Sequence, residues 1–299
     1  MMEGLISPWL AWALASTLFY GINAFLLHRL INQQGDTLTA LVISPAVVTL
    51  IAAVMLSFSA IPEIDGSFWL LALFALLQGG LFFLTIESRA SAMALGLPST
   101  ILYPIIKSGT LFVIVISAFL FDELQLLLEP RRFTGILLIT LSVVLLLQWS
   151  KKILSGGSSR GIALAFALLA TFTSIGATLA PKYVIEFQPE MNIFVFILIS
   201  NLFTTLLSSI RFNYRTEMPV PEARKAGAIS GIWLGITSFA GFAAFLKAIH
   251  LGPLSIVAAV SSLYILIPIV LSVILFKEPL RARSQVALFL SLLGIVLCK

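Results

Sequence analysis

Leu97–Glu123, LPSTILYPIIKSGTLFVIVISAFLFDE, decides the reading of this chain, because Leu254–Glu278, LSIVAAVSSLYILIPIVLSVILFKE, repeats its design. Both stretches are apolar enough to cross a bilayer, and both close on Leu-Phe-(Asp/Lys)-Glu. Aligning Glu123 with Glu278 sets Lys107 against Ser262. A charge at the centre of a bilayer costs about 2.5–3.5 kcal/mol on insertion scales, so it persists where it faces a wet cavity or a partner. Lys107 lies ten or more residues from either end of its stretch, too deep for easy snorkelling. It therefore predicts a polar interior, with an ammonium suited to an anionic or carboxylate-bearing solute.

Composition fixes the solvent. Of 299 residues, 60 % are hydrophobic and 10 % charged, with mean hydropathy +1.09. Water-soluble domains carry about 25 % charged residues, so the expected solvent is lipid. The net charge of +5 sits mostly in short connections, which fits the fixing of membrane orientation rather than nucleic-acid binding. The single cysteine, Cys298, rules out an internal disulfide and a cysteine-based metal cluster. With His28 and His250 as the other soft ligands, no metal site and no cofactor are expected. The N-terminus lacks a basic region and a small-residue cleavage site, so its first apolar stretch is expected to be a retained helix.

A ruler of about 20 apolar residues per span gives ten: 8–28, 37–60, 67–86, one from 91–101 to about 121, 133–149, 161–181, 191–210, 227–246, 252–276 and 283–298. The break before the fourth falls at Glu87-Ser88-Arg89. The runs are continuous rather than alternating, which excludes a β-barrel. The Gly/Ser-rich segment 151–160 reads as a linker between five-helix repeats at 1–150 and 161–299. Ala92 and Gly96 precede the first long stretch as Ala248 and Gly252 precede the second. Gly135 and Ser142 follow the first Glu, and Ala287 and Gly294 follow the second. Small residues seven apart share a helix face and admit a close neighbour. Five is odd, so the second repeat enters from the opposite side. The expected fold is an all-α integral membrane protein of ten transmembrane helices in two inverted repeats, with a site near the midplane. Connections after odd-numbered spans, Arg89 among them, hold most of the Lys and Arg; the positive-inside rule makes that side cytoplasmic and sets both termini outside.

The doubled Ala-x-x-x-Gly, the terminal x-Glu and the small residues after it, at 92–142 and 248–294, resemble the drug/metabolite transporter superfamily and its ten-helix EamA-type members. The chain departs from the family's usual proline before the glutamate, carrying Thr110 and Ile265 there and Pro104 and Pro268 elsewhere. Tyr-Pro-Ile-Ile-Lys-Ser at 103–108 is similar to the lysine-bearing helix of the phosphosugar and nucleotide-sugar branch. The resemblance implies a carrier of small organic solutes, not an enzyme, that works by alternating access in a cell (inner) membrane.

The candidate binding residues are Tyr103, Lys107 and Ser108 of the fourth span, with Ser261, Ser262 and Tyr264 of its repeat-mate across a central cavity. Tyr20 and Asn23 of the first span and Gln78 of the third join them. Asn201, Thr204 and Thr205 read as packing; so does the row Gly227, Gly231 and Gly235. Glu123 and Glu278 read as helix-end ion pairs at the membrane surface, with Lys277 or Arg281 beside the second. No carboxylate lies deep in a span, against proton coupling of the buried-glutamate kind. The expected activity is secondary transport of an amino acid or related metabolite, probable direction export, driven by a coupling proton or counter-substrate, by a monomer or homodimer. An organic-anion or phosphosugar exchanger using Lys107 is the alternative, and a non-transporting membrane subunit the alternative of another class.

Overall fold

The computed structural model describes residues 7–59, 66–97, 99–146, 158–215, 219–268, 270–271 and 282–298. Among them the chain forms no strand and, besides helical residues at 266–268 and 270–271, eleven α-helices. They are α1 (Pro8–Asn32), α2 (Thr37–Ser57), α3 (Gly66–Ala94), α4 (Ser99–Leu120), α5 (Leu124–Leu128), α6 (Pro130–Leu146), α7 (Ser158–Phe187), α8 (Ile193–Asn213), α9 (Pro221–Leu251), α10 (Leu254–Ser262) and α11 (Ala282–Cys298). A 3-10 turn, Leu263–Ile265, follows α10. Six helices, α1–α3 and α7–α9, are long and apolar enough to cross a membrane, and shorter apolar helices stand at 105–120, 254–268 and 285–298. The chain is thus an integral, multi-pass membrane protein. Glu278 with Lys277 and Arg281, most of the linker, and the side chain of Tyr103 lie outside the described residues.

The helix ends follow local chemistry. Asp36 caps α2 by accepting from the Thr39 N–H at 3.2 Å, and Asn192 caps α8 by accepting from that of Phe194 at 2.9 Å. Pro8 and Pro221 open α1 and α9, where a missing N–H costs nothing. The α3 helix runs through Glu87-Ser88-Arg89 instead of breaking there, which corrects the expected boundary. It stops at Gly96, whose φ of +86° suits a residue without a Cβ. The Gly96 and Leu97 N–H groups reach back to the Met93 and Ala92 carbonyls at 2.9 and 3.1 Å, a Schellman closure.

Contacts along the helices give their directions. On α1, Trp9 packs on Gly252, Asn23 meets Leu234, and the Asp36 N–H beyond its end donates to the Ala223 carbonyl, so α1 runs antiparallel to α9. Gly231 and Gly235 of α9 lie on Ile43 and Val47 of α2 in parallel order. On α3, Gly79 lies on Ser200 and Glu87 pairs with Arg211, so α3 is parallel to α8. Thr85 bonds Thr173 while Leu81 reaches Gly176, so α3 is antiparallel to α7. Gly135 and Gly294 bring α6 and α11 together backbone to backbone. Two faces result. Trp9, Glu123, Lys182, Asn192 and Cys298 mark one, the Trp9 face; Asp36, Glu87, Arg211 and Arg215 mark the other, the Asp36 face.

The glycine row on α9 is a packing device, as its spacing predicts. A Cβ at Gly235 would lie 2.6 Å from Val47 Cβ and 2.7 Å from the Ser44 carbonyl oxygen. Overpacking of this kind costs about 1–3 kcal/mol. Gly235→Ala is therefore expected to lower the unfolding temperature in detergent by several degrees. Gly161→Ala, with nothing within 4 Å of the added methyl, should leave it unchanged or raise it slightly. Thermal unfolding of the two variants side by side checks this.

Candidate solute-binding cavity

A cavity of about 210 Å³ opens among seven long helices and α10, space for on the order of ten waters. Each helix contributes a stripe at helical spacing. On α3 the stripe is Gln78, Phe82, Thr85, Ile86 and Arg89; on α1 it is Tyr20, Asn23, Ala24 and Leu27. The stripes of α1, α2 and α3 come from the halves of those helices nearer the Asp36 face. Towards the Trp9 face the bundle is solid, with Leu246, Ile249, Leu254, Ile256 and Val257 fully buried.

Lys107 lines this cavity rather than lipid, and its Nζ stands 4.4 Å from the centre of the Tyr264 ring. A cation over an aromatic face gains about 0.5–2 kcal/mol, more as it is desolvated. Tyr264 in turn packs on Tyr20, ring centres 6.2 Å apart and tilted by 51°. Tyr20 rests on Gly241, where a Cβ would come within 3.1 Å of its ring. Tyr264 occupies the 3-10 turn. Pro268, four residues on, would crowd the Tyr264 carbonyl and offers it no N–H, which fits the loss of regular α-helix there. Lys107 and Tyr264 thus touch, instead of facing each other across the space.

The remaining candidates divide. Gln78 and Ser261 line the cavity, and the Ser261 hydroxyl is buried with no hydrogen-bond partner among the described residues. Asn23 also lines it, and its Nδ2 donates to the Leu234 carbonyl (2.8 Å), Thr237 Oγ1 (3.1 Å) and Ser238 Oγ (2.9 Å), tying α1 to α9. Ser108 and Ser262 do not line it; their hydroxyls donate to the Ile105 and Ala259 carbonyls, one turn back, at 2.7 and 2.6 Å. Thr204 donates to the Gly79 carbonyl at 3.0 Å, a packing bond, whereas Asn201 also reaches the cavity.

Arg89 is the residue that reading the sequence misplaced. Counted as a connection charge, it lies on α3 and lines the cavity. Its neighbour Glu87 points elsewhere, to Arg211 at 2.7 Å. The signal was available in the spacing: Gln78, Phe82, Thr85 and Arg89 fall on one helical face. Among the described residues two cations therefore line the cavity, and no Asp or Glu does. Glu123 is the second correction. It is 7 % exposed, and its carboxylate accepts from backbone N–H groups of Leu254 and Ser255, not from a surface cation.

This geometry can be set against known proteins. Residues 160–298 match the EamA-like transporter family. The resemblance read from the doubled motifs holds over that half of the chain, and the family is one of membrane transporters, not enzymes. No curated protein matches the sequence. A solved crystal structure of a protein shares the fold across the chain, with a TM-score of 0.68 and 18 % identity over 94 % of this chain and 96 % of that one. The EamA-like half supplies Asn201, Ser238, Ser261 and Tyr264 to the cavity, and the residues before it supply both cations.

Asn23 sets a test of the cavity wall. Hydrogen bonds between membrane helices are worth about 0.6 kcal/mol each, and the two Nδ2 hydrogens of Asn23 share three acceptors here. Asn23→Leu is expected to cost about 1–2 kcal/mol. Equilibrium unfolding in mixed micelles, compared with Gln78→Leu, measures it.

Proposed function

We propose that the protein is a secondary carrier for a small organic solute with an anionic head and an apolar body. The observation that carries this is that Lys107 and Arg89 both line one cavity, with no carboxylate among its described lining residues. Two cationic donors within one cavity suit a solute's carboxylate, phosphate or sulfonate head through charge-assisted hydrogen bonds. Arginine adds a planar fork suited to two-point recognition of such groups. Phe82, Phe242, Phe245 and the two tyrosines offer the apolar remainder its surface. An amino acid fits this class through its carboxylate, and its ammonium would find ring faces there. A phosphosugar fits through its phosphate. The electropositive lining moves the balance towards the organic-anion reading that Lys107 alone suggested.

The transport mechanism in this reading is alternating access by two inverted five-helix repeats, 1–150 and 161–299, joined by 151–160 and making ten spans. The helix pairings support it. Exchanging the halves turns the α1·α9 packing into α7·α3, α2·α9 into α8·α3, and α10·α1 into α4·α7, while α2·α8, α4·α10 and α6·α11 map onto themselves. Helix directions agree: α4 ends where α10 begins, α4 runs parallel to α7, and α10 runs parallel to α1. Thus α1 and α7 run oppositely, as inverted copies must. By the charge rule the Asp36 face is cytoplasmic even after Arg89 is removed from the count. Export from the cell would then load from the face towards which the cavity extends.

Liposomes bearing purified protein, screened with amino acids, phosphosugars, carboxylates and amines, test the reading. Anionic solutes should be taken up and amines refused. Lys107→Ala and Arg89→Gln should each weaken uptake of the anion at least tenfold with unfolding temperature preserved. A folded Lys107→Ala that keeps full uptake, or a preference for amines, overturns it; no uptake of any solute class returns the non-transporting subunit.

A further inference from the structure

We infer that Glu123 and Lys182 form a two-point latch that holds the cavity shut on the Trp9 face, resting on the carrier reading above. The two side chains come from different halves of the chain, Glu123 from the connection between α4 and α5 and Lys182 from α7, and grip one turn between α9 and α10. Glu123 Oε1 accepts from the Leu254 N–H at 2.6 Å and Oε2 from the Ser255 N–H at 2.8 Å. Lys182 Nζ donates to the Ile249 carbonyl at 3.2 Å and pairs with Glu186 at 2.8 Å. Both latch residues are 7 % exposed, and Leu254, Ser255 and Ile249 are wholly buried.

The signs of the charges fit their places. The last carbonyls of a helix attract a cation, and the first N–H groups attract an anion. Those groups have no partner within their own helices, so each side chain satisfies atoms that would otherwise be orphaned in a dry seam. In the first turn of α10, Ile256 and Val257 are wholly buried, and they stand in the chain between the gripped turn and the cavity-lining Ala258 and Ser261. Water could enter from the Trp9 face only if this turn moved away from α4 and α7, which requires both grips to release. The seam is also primed for release. The Ser255 hydroxyl and His250 Nδ1 are buried there with no hydrogen-bond partner among the described residues. Water admitted on opening would satisfy both groups.

The experiment reads accessibility, without any solute. In a Cys298→Ser background, Val257→Cys reports the plug and Ser174→Cys, at a partly exposed cavity-lining position, reports the cavity, each by its rate of reaction with a charged methanethiosulfonate reagent in nanodiscs. With the latch intact Val257→Cys should react slowly and Ser174→Cys fast. Glu123→Gln and Lys182→Met should each speed the plug reporter at least tenfold while the cavity reporter slows. The inference is overturned if neither variant changes the plug reporter. It is overturned equally if both reporters accelerate together, since that is general loosening of the fold. A failed latch leaves the loss of anion uptake in Lys107→Ala standing, and an absence of uptake leaves these rates unaffected, so the two ideas fail separately.

Discussion

Helices in lipid gain nothing by hiding apolar faces from their solvent, because the solvent is as apolar as they are. What binds this bundle is close approach of backbones, and it happens where side chains are missing. Gly79 lies on the Ser200 carbonyl, Gly235 on that of Ser44, and Gly135 and Gly294 on each other. At such separations the dispersion contacts of two whole backbones add up, though each is worth only about 0.1–0.2 kcal/mol. Threonine hydroxyls reinforce the seams: Thr204 reaches the Gly79 carbonyl, and Thr85 meets Thr173.

The cavity follows from that scaffold. The helices pinned through glycine cannot collapse inward, so the space between them near the Asp36 face stays open and is lined by what the sequence places there. Lys107, Arg89, Gln78 and Asn201 sit in an otherwise apolar chain because they face water, not lipid. Away from the cavity polar groups are consumed locally. Ser117, Ser142 and Ser208 are buried, and the first two donate to carbonyls three residues back.

Much of this was legible in the chain. Composition and unbroken apolar runs gave a helical membrane protein; the small-residue spacings marked close-packed faces without naming their partners; Lys107 pointed to a polar interior. Three features were misread, each for a physical reason. Glu87 and Arg89 read as a loop because adjacent charges suggest water, yet on a helix they point about 200° apart, one to an ion pair and one to the cavity. Glu123 read as a surface ion pair because its acceptors, two backbone N–H groups 131 and 132 residues away, leave no mark in side-chain identity. The doubled Ala-x-x-x-Gly read as one device used twice. In the first copy Gly96 adopts φ +86°, whereas Gly252 has φ −148° and admits Trp9, so the same letters answer different demands.

That last difference extends to the cavity itself. Lys107 and its register-mate Ser262 stand at matching positions, yet the lysine enters the cavity and the serine turns back to Ala259. Both cations therefore come from α3 and α4, while α9 and α10 offer Ser238, Phe242, Phe245, Ser261 and Tyr264. A two-fold scaffold with equal walls would hold a solute in either of two orientations. For the proposed anionic solute, charge on one wall and hydroxyls and rings on the other would draw the anionic end to α3 and α4 and set the body against α9 and α10. Because α10 also begins at the turn that Glu123 grips, the wall that would meet the body of the solute is continuous with the proposed latch. A solute filling that wall would be felt at the turn through one helix, little more than two turns from Ser262 back to Leu254.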